Sequence, residues 1–263
     1  RLVDKTTEYQ LAERLGWWTA IAAGDFDEDG DPDFIVTNFG SNTKYHVSPD
    51  HPALIYYSDF EGNGNFQIVE AKLGGKHELL PVRGRSCSSN AIPIVAERFP
   101  TYHEFAMATL PEIYTPQCLQ DALQLEANEL RSGLLINRDG RALEFKPLPL
   151  LAQLAPGRDV AVADFNGDGR LDAYLAQNFF GPQRETGRMA GGLGLVLLSN
   201  GKGEFEALWP YESGVEIAHD ATSVALTDFS GDGRLDLVVA INDGVAVAYE
   251  MQSETQPIAT SQR

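Results

Sequence analysis

Asp25-Phe26-Asp27-Glu28-Asp29-Gly30-Asp31-Pro32-Asp33 decides the reading of this chain, because it returns twice. The copies are Asp164-Phe165-Asn166-Gly167-Asp168-Gly169-Arg170-Leu171-Asp172 and Asp228-Phe229-Ser230-Gly231-Asp232-Gly233-Arg234-Leu235-Asp236. Each places an oxygen-bearing side chain at positions 1, 3, 5 and 9 and glycine at position 6. A hard cation such as Ca²⁺ takes six to eight oxygens, and alternate residues of a tight loop can converge on one centre. The expected ligands are Asp25, Asp27, Asp29 and Asp33 in the first loop. They are Asp164, Asn166, Asp168 and Asp172 in the second, and Asp228, Ser230, Asp232 and Asp236 in the third. The main-chain carbonyls of Asp31, Arg170 and Arg234 at position 7 would add one ligand each, so about three ions are expected.

The flanks say what kind of loop this is. A helix–loop–helix calcium site needs glutamate at position 12, where this chain has Val36, Leu175 and Val239. The flanking segments are short apolar runs such as Thr19–Ala23 and Phe34–Val36, or Val160–Ala163 and Ala173–Leu175. Runs of that length, bounded by turn residues, predict strands. A second hairpin recurs between the loops, at Ala53–Val69, Gly133–Phe145 and Leu195–Phe205. The sequence therefore predicts an all-β protein, a β-propeller of four-stranded antiparallel blades. About four blades are visible, in a single domain over residues 1–263 or as part of a larger propeller. Arg1–Thr6 reads as an outer strand of an incomplete blade. The chain is expected to join further N-terminal blades or domains.

Residues 73–131 break the repeat. Thr101-Tyr102-His103-Glu104 has the form of a helix capping box, and Thr115-Pro116 marks another helix start running to Leu130. We expect a helix-containing insertion that replaces part of the second blade, with Gly84–Asn90 as its leading loop. The Asp59–Gln67 turn resembles the acidic loops but has glutamine at position 9, so it reads as a plain hairpin turn.

The loop pattern between short strands resembles FG-GAP/VCBS-type repeats, the calcium-loop propellers of integrin α subunits, some lectins and many bacterial surface proteins. The insertion, with Arg85-Ser86-Cys87-Ser88-Ser89 before Phe99-Pro100-Thr101-Tyr102, is similar to the C-terminal region of bacterial surface proteins carrying such repeats. The resemblance implies a calcium-binding, non-catalytic adhesion module that binds protein or glycan.

Composition agrees with that class. The 263 residues are 43% hydrophobic and 22% charged, enough for a sizeable core. A net charge of −18 argues against nucleic acid, whose phosphates need a basic surface. No apolar run is long enough to span a membrane. Two cysteines, Cys87 and Cys118, leave one bridge or two thiols open. Extracellular calcium modules bind at roughly 10⁻⁴–10⁻³ M, which points to an extracellular, cell-surface or periplasmic location.

In an up-and-down blade the calcium loops share one end with the short turns, and long connections gather at the other. Lys44, Tyr45, His46, Arg83, Arg85, Asn90, Tyr102, His103, Arg184, Glu185 and Arg188 are the candidate ligand-binding residues of that face. Sequence patterns for zinc hydrolases, serine nucleophile elbows, phosphate loops and dinucleotide folds are absent. The competing reading is a polysaccharide lyase or hydrolase on a propeller scaffold, with Arg85, Tyr102, His103 and Arg188 as candidates.

Overall fold

The computed structural model describes residues 1–182 and 186–252. In chain order, β1 (Ala20–Gly24) and β2 (Asp33–Thr37) flank the first acidic loop. Then come β3 (Ala53–Ser58), β4 (Gln67–Leu73) and β5 (Leu79–Pro81). Five short helices follow: α1 (Arg85–Ala91), α2 (Ile94–Arg98), α3 (Tyr102–Met107), α4 (Leu110–Tyr114) and α5 (Pro116–Asp121). β6 (Leu123–Ala127), β7 (Gly133–Asn137) and β8 (Leu143–Pro147) lead to β9 (Gly157–Ala163) and β10 (Asp172–Gln177). The chain continues with β11 (Leu195–Ser199), β12 (Phe205–Ala207) and the single-turn α6 (Pro210–Ser213). It ends in β13 (Ala221–Thr227), β14 (Asp236–Ile241) and β15 (Val247–Tyr249).

These strands make four antiparallel sheets of three or four strands, ordered β1-β2-β7-β8, β12-β11-β10-β9, β13-β14-β15 and β5-β4-β3-β6. None closes into a barrel, and the arrangement is that of a partial propeller. The chain divides into two compact units. One comprises residues 1–12, 18–44 and 131–263; the other comprises 13–17 and 45–130.

In the first unit, period-2 alternation sorts the side chains of the middle sheet. Ala173 and Leu175 of β10 pack with Ile35, Leu134 and Ile136 of the β1-β2-β7-β8 sheet. Their neighbours Tyr174 and Ala176 point the other way, onto Leu237 and Val239 of the third sheet. Each fully buried large side chain contributes about 1.5–3 kcal/mol, so a one-residue slip of β10 would lose both interfaces. Polar stitches tie the innermost strands together. Thr19 Oγ1 donates to Gly157 O at 2.5 Å, and Asp159 Oδ2 accepts Val224 N–H at 2.8 Å and Ser223 Oγ–H at 3.0 Å.

The pairing of β2 corrects the blade assignment. The hairpin 53–69 was expected to follow β2 in the first blade. Instead β2 pairs with β7, with Val36 opposite Gly133 and Phe34 opposite Leu135. β3 and β4 form a separate sheet with β5 and β6. Three propeller-type sheets are therefore seen, and the first is interrupted between its second and third strands. One long-range bond supports that pairing, from Asn137 N–H at the end of β7 to Asp33 at the start of β2, while within the β7–β8 hairpin a Cβ on Gly133 would lie 2.1 Å from the Phe145 ring, so only glycine fits there.

The second unit has its own core. Leu54, Tyr56, Val69 and Ala71 from one face of its sheet pack on Val95, Phe105, Leu110, Ile113 and Leu119 from the helices and on Ile92 just after α1. Thr101 caps α3 as its sequence indicates, with Glu104 N–H donating to Thr101 Oγ1 at 3.2 Å and Glu104 accepting Thr101 N–H at 3.0 Å. At α4, Glu112 likewise accepts Thr109 N–H, at 2.7 Å, while its own N–H donates to Thr109 O at 3.1 Å. Three local expectations fail. Gly84–Asn90, expected as a loop, is mostly the helix α1, whose Ser/Asn content gives low propensity and whose Ser88 is buried by packing. The helix from Pro116 stops at Asp121, and 123–127 is the edge strand β6, paired with β3 from Leu123↔Tyr57 to Ala127↔Ala53. Arg1–Thr6 forms no strand: Leu2 and Val3 are exposed, and Lys5 O and Thr6 O accept turn hydrogen bonds from Tyr9 and Leu11.

Candidate functional site

The three acidic loops share one hydrogen-bonded frame, which assigns the position-9 aspartate a use beyond ligation. Asp33, Asp172 and Asp236 are fully buried at the first residue of β2, β10 and β14. One carboxylate oxygen of each accepts the N–H of the position-2 phenylalanine, at 3.0 Å for Phe26, 2.9 Å for Phe165 and 3.1 Å for Phe229. The other oxygen accepts a backbone N–H just past the third strand or at its end: Asn137 at 2.8 Å, Ser199 at 2.8 Å and Met251 at 2.9 Å. Each carboxylate thus closes its own loop and clamps it to the neighbouring turn of the same sheet. Burial pushes the carboxyls of Asp33 and Asp172 above the usual range, against the opposing pull of those N–H donors.

Positions 1, 3 and 5 separate the loops. In the second loop Asp164 accepts N–H groups from Gly167 at 2.7 Å, Asp168 at 3.2 Å and Gly169 at 2.8 Å. Asp168 accepts Arg170 N–H and is covered by the Arg170 guanidinium, both at 2.9 Å. The third loop repeats this, with Gly231, Asp232 and Gly233 donating to Asp228 and the Arg234 guanidinium on Asp232. Arginine at position 7 therefore already places a cation on the position-5 carboxylate.

The first loop has aspartate at position 7 and no such cover. Carboxylate oxygens of Asp25, Asp27 and Asp29 lie within 4.8 Å of one another. Asp25 Oδ1 and Asp27 Oδ1 are buried and accept no hydrogen bond. Burial first, and then the Asp29 charge, raise the Asp27 carboxyl above its ordinary value. Arg138, at 3.4 Å from Asp27 Oδ2, offsets part of this. Glu28 takes a positive φ of 59° where the later loops have glycine, a conformation that costs a non-glycine residue roughly 1 kcal/mol. Three clustered carboxylates with two buried, unsatisfied oxygens form a donor set that fits a hard divalent cation.

The Asp59 turn of the second unit has the same frame. Asp59 accepts N–H groups from Asn63 at 3.1 Å and Gly64 at 2.7 Å, and Asn63 Oδ1 accepts Asn65 N–H at 2.9 Å. Gln67 Oε1 accepts Phe60 N–H at 3.2 Å, in the place of the position-9 aspartate. The turn is an acidic-loop frame with a neutral staple, rather than the plain hairpin turn its sequence suggested. A second signal missed in the sequence is the asparagine that follows each inner hairpin. Asn38 O accepts Gly157 N–H at 3.0 Å, and Asn178 Nδ2 donates to His219 O at 2.9 Å, each bonding to the start of the next sheet. Asn242 Nδ2 donates to Asp220 Oδ2 at 3.2 Å.

The candidate ligand-binding residues divide between the two units. Lys44 and Arg188 are in the first, where the Arg188 guanidinium lies 5.0 Å from the centre of the Phe180 ring. Arg184 and Glu185 lie outside the described residues. Tyr45, His46, Arg83, Arg85, Asn90, Tyr102 and His103 belong to the second unit. Two small groups form there. Glu70 receives the Tyr45 hydroxyl at 3.0 Å and Arg83 Nη2 at 2.5 Å. Burial, then the Glu70 charge, push the Tyr45 hydroxyl well above the ordinary tyrosine range. Arg85 donates to the carbonyls of Phe99 at 2.5 Å and Ala96 at 3.5 Å, with its guanidinium 5.3 Å from the centre of the Tyr102 ring. Tyr102 Oη pairs with Ser86 Oγ at 2.8 Å. His46, Asn90 and His103 are exposed. Cys87 and Cys118 are not joined in a disulfide. Among the described residues, no helix is long and apolar enough to cross a membrane.

Comparison with known families agrees with the loop geometry. The FG-GAP repeat model matches residues 17–46, which hold β1, the first acidic loop and β2. The FG-GAP-like repeat model matches residues 189–239, from β11 through the third loop into β14. A search of curated proteins gave no match. The chain carries FG-GAP-type repeats in these two segments, and such repeats suggest a propeller-type protein-binding module.

Proposed function

We propose that this chain, with its FG-GAP-type repeats, is a calcium-binding, non-catalytic module that binds a protein or glycan partner outside the cytoplasm. The observation that carries the metal assignment is the pair of buried, unsatisfied oxygens on Asp25 and Asp27, grouped with Asp29. Asp25, Asp27 and Asp29 would supply side-chain oxygens, with the Asp31 carbonyl as a further ligand. The ion would relieve the repulsion among the three carboxylates and so rigidify the turn beside Asn137. Asp164, Asn166, Asp168 and the Arg170 carbonyl would hold a second ion, and Asp228, Ser230, Asp232 and the Arg234 carbonyl a third, more weakly because arginine competes at both sites. Millimolar occupancy of such loops favours an extracellular, cell-surface or periplasmic location.

The surroundings of Arg85 and Tyr102 favour the non-catalytic reading over a lyase or hydrolase. Arg85 donates to two main-chain carbonyls, and Tyr102 stacks on Arg85. Both are explained by helix packing. Calorimetric titration of calcium into chelator-stripped protein tests the proposal, with Asp25→Ala as control. Heat of binding that is unchanged by Asp25→Ala would reassign the ion, and absence of any binding would remove calcium from the reading. Partner capture from an extracellular protein and glycan panel, with calcium and with chelator, tests the binding role.

A further inference from the structure

β5 covers only part of β4. Its register runs from Ala71↔Pro81 to Leu73↔Leu79, and Val82 N–H reaches Glu70 O at 3.0 Å. The chain then leaves through Arg83 and Gly84 into α1. Ile68 and Val69 consequently face α1 across a cavity of about 220 Å³ rather than another strand. Its walls are Val69, Ile92 and Tyr114, all buried, with Cys87 and Ala91 from α1. Glu70 and Arg83 line one side, already joined to each other.

We propose that this cavity takes one uncharged apolar side chain of an extended partner peptide, whose backbone adds to the open edge of β4 at Ile68. Three features set that chemistry. Small-molecule pockets run from about 300 to 1,000 Å³, so this cavity suits a single side chain better than a whole ligand. Its charged wall is internally neutralised, because the Arg83 cation sits on Glu70 and Tyr45 donates to the same carboxylate. An anionic or cationic anchor would have to break that pair, whereas an aliphatic or aromatic one meets Ile68, Val69, Ile92 and Ala91. The edge of β4 beyond Ala71 carries no strand among the described residues, and strand addition is the recurring way to read an extended peptide along such an edge. The inference rests on the binding-module reading and gives it a partner chemistry.

The test is amide and methyl NMR of the whole chain against capped five-residue peptides. The first has leucine between two valines, flanked by threonines. The second has glutamate in place of leucine, and the third has both valines replaced by proline, which removes two backbone donors. The leucine peptide should shift Ile68, Val69 and Ile92 signals. The glutamate and proline peptides should each bind about tenfold more weakly, the loss expected for one unmade hydrogen bond or buried contact. Ala91→Phe, which fills the mouth, should abolish the shifts. Ile68→Pro, which removes a backbone donor from the open edge of β4 without touching α1, should do the same, and melting curves establish that both variants are folded. Equal binding of all three peptides, shifts confined to other residues, or shifts that persist in both variants would overturn the proposal. None of these outcomes depends on calcium, so failure of the metal assignment would be seen separately in the titration.

Discussion

Asp33 and Asn137 are 104 positions apart, yet the carboxylate of the first accepts the backbone N–H of the second at 2.8 Å. That bond joins the end of the acidic loop to the last residue of β7, across the whole inserted sequence. The same carboxylate holds Phe26 N–H through its other oxygen. The second and third sheets repeat both bonds with Asp172 and Asp236. Position 9 is therefore the staple of the repeat.

Replacing a staple should unfold a sheet rather than merely empty a metal site. Asp172→Ala leaves the N–H groups of Phe165 and Ser199 without acceptors inside the protein, at a cost of about 1–3 kcal/mol each. Asp172→Asn keeps one acceptor oxygen and should lose about half as much. Urea unfolding in chelator measures both. If the alanine variant were as stable as the parent, the clamp would be unimportant.

Calcium should stabilise the protein, and the first loop should dominate the effect. At a concentration about a hundred times Kd, one ion adds about 2.7 kcal/mol, a rise in Tm of several degrees for a chain of this length. Magnesium should substitute poorly because it demands tighter octahedral geometry. Asp25→Ala should remove most of the rise. Arg170→Ala, by uncovering Asp168, should strengthen calcium binding to the second loop. Equal calcium titrations for the parent and both variants would contradict the loop ranking.

Much of this was legible because its signals are local. The spacing of the acidic loops, their glycine positions, the apolar flanks and the Thr101–Glu104 capping box are each set within a few residues. The identity of the third strand in the first blade was not legible. Ala53–Ser58 and Gly133–Asn137 are equally good apolar strands, and both are followed by glycine turns. What separates them is the long-range bond from Asn137 to Asp33. The same gap explains α1, where packing of Ser88 overrides weak helix propensity. It also explains β6, where pairing with β3 takes over a segment that reads as helix. The candidate ligand face was pooled by loop length, and its described members are divided between the two units.

Acid should loosen the helices of the second unit before its sheet. Thr101 hydrogen bonds hold the Glu104 carboxyl below its ordinary range, through the hydroxyl first and the backbone second. Thr109 does the same for Glu112, through the backbone first. A lowered folded value means that the unfolded chain takes up protons first as pH falls. The caps therefore contribute fully above the ordinary carboxylate range and lose their contribution as pH drops through the lowered values. Helical circular dichroism should decline in that window. Glu104→Gln, which keeps an acceptor but cannot titrate, should flatten part of the decline. An unchanged acid transition in that variant would assign the loss to other groups.

Residues 45–130 should fold without the rest of the chain. All thirteen buried residues of their apolar cluster, from Leu54 to Leu119, come from within that segment. The sheet β5-β4-β3-β6 is likewise complete inside it. Leu15 O accepts Asn128 and Glu129 N–H groups, so including 13–17 would add an outer brace that is not part of the core. A domain of that size sits near the lower end of what one hydrophobic core sustains, so modest stability is expected rather than failure to fold. The isolated segment should show dispersed amide signals and a single cooperative urea transition. Phe105→Ala should shift that transition by about 3–5 kcal/mol, the usual cost of emptying a buried aromatic site. A collapsed, non-cooperative segment would show that its helices depend on the propeller for their packing.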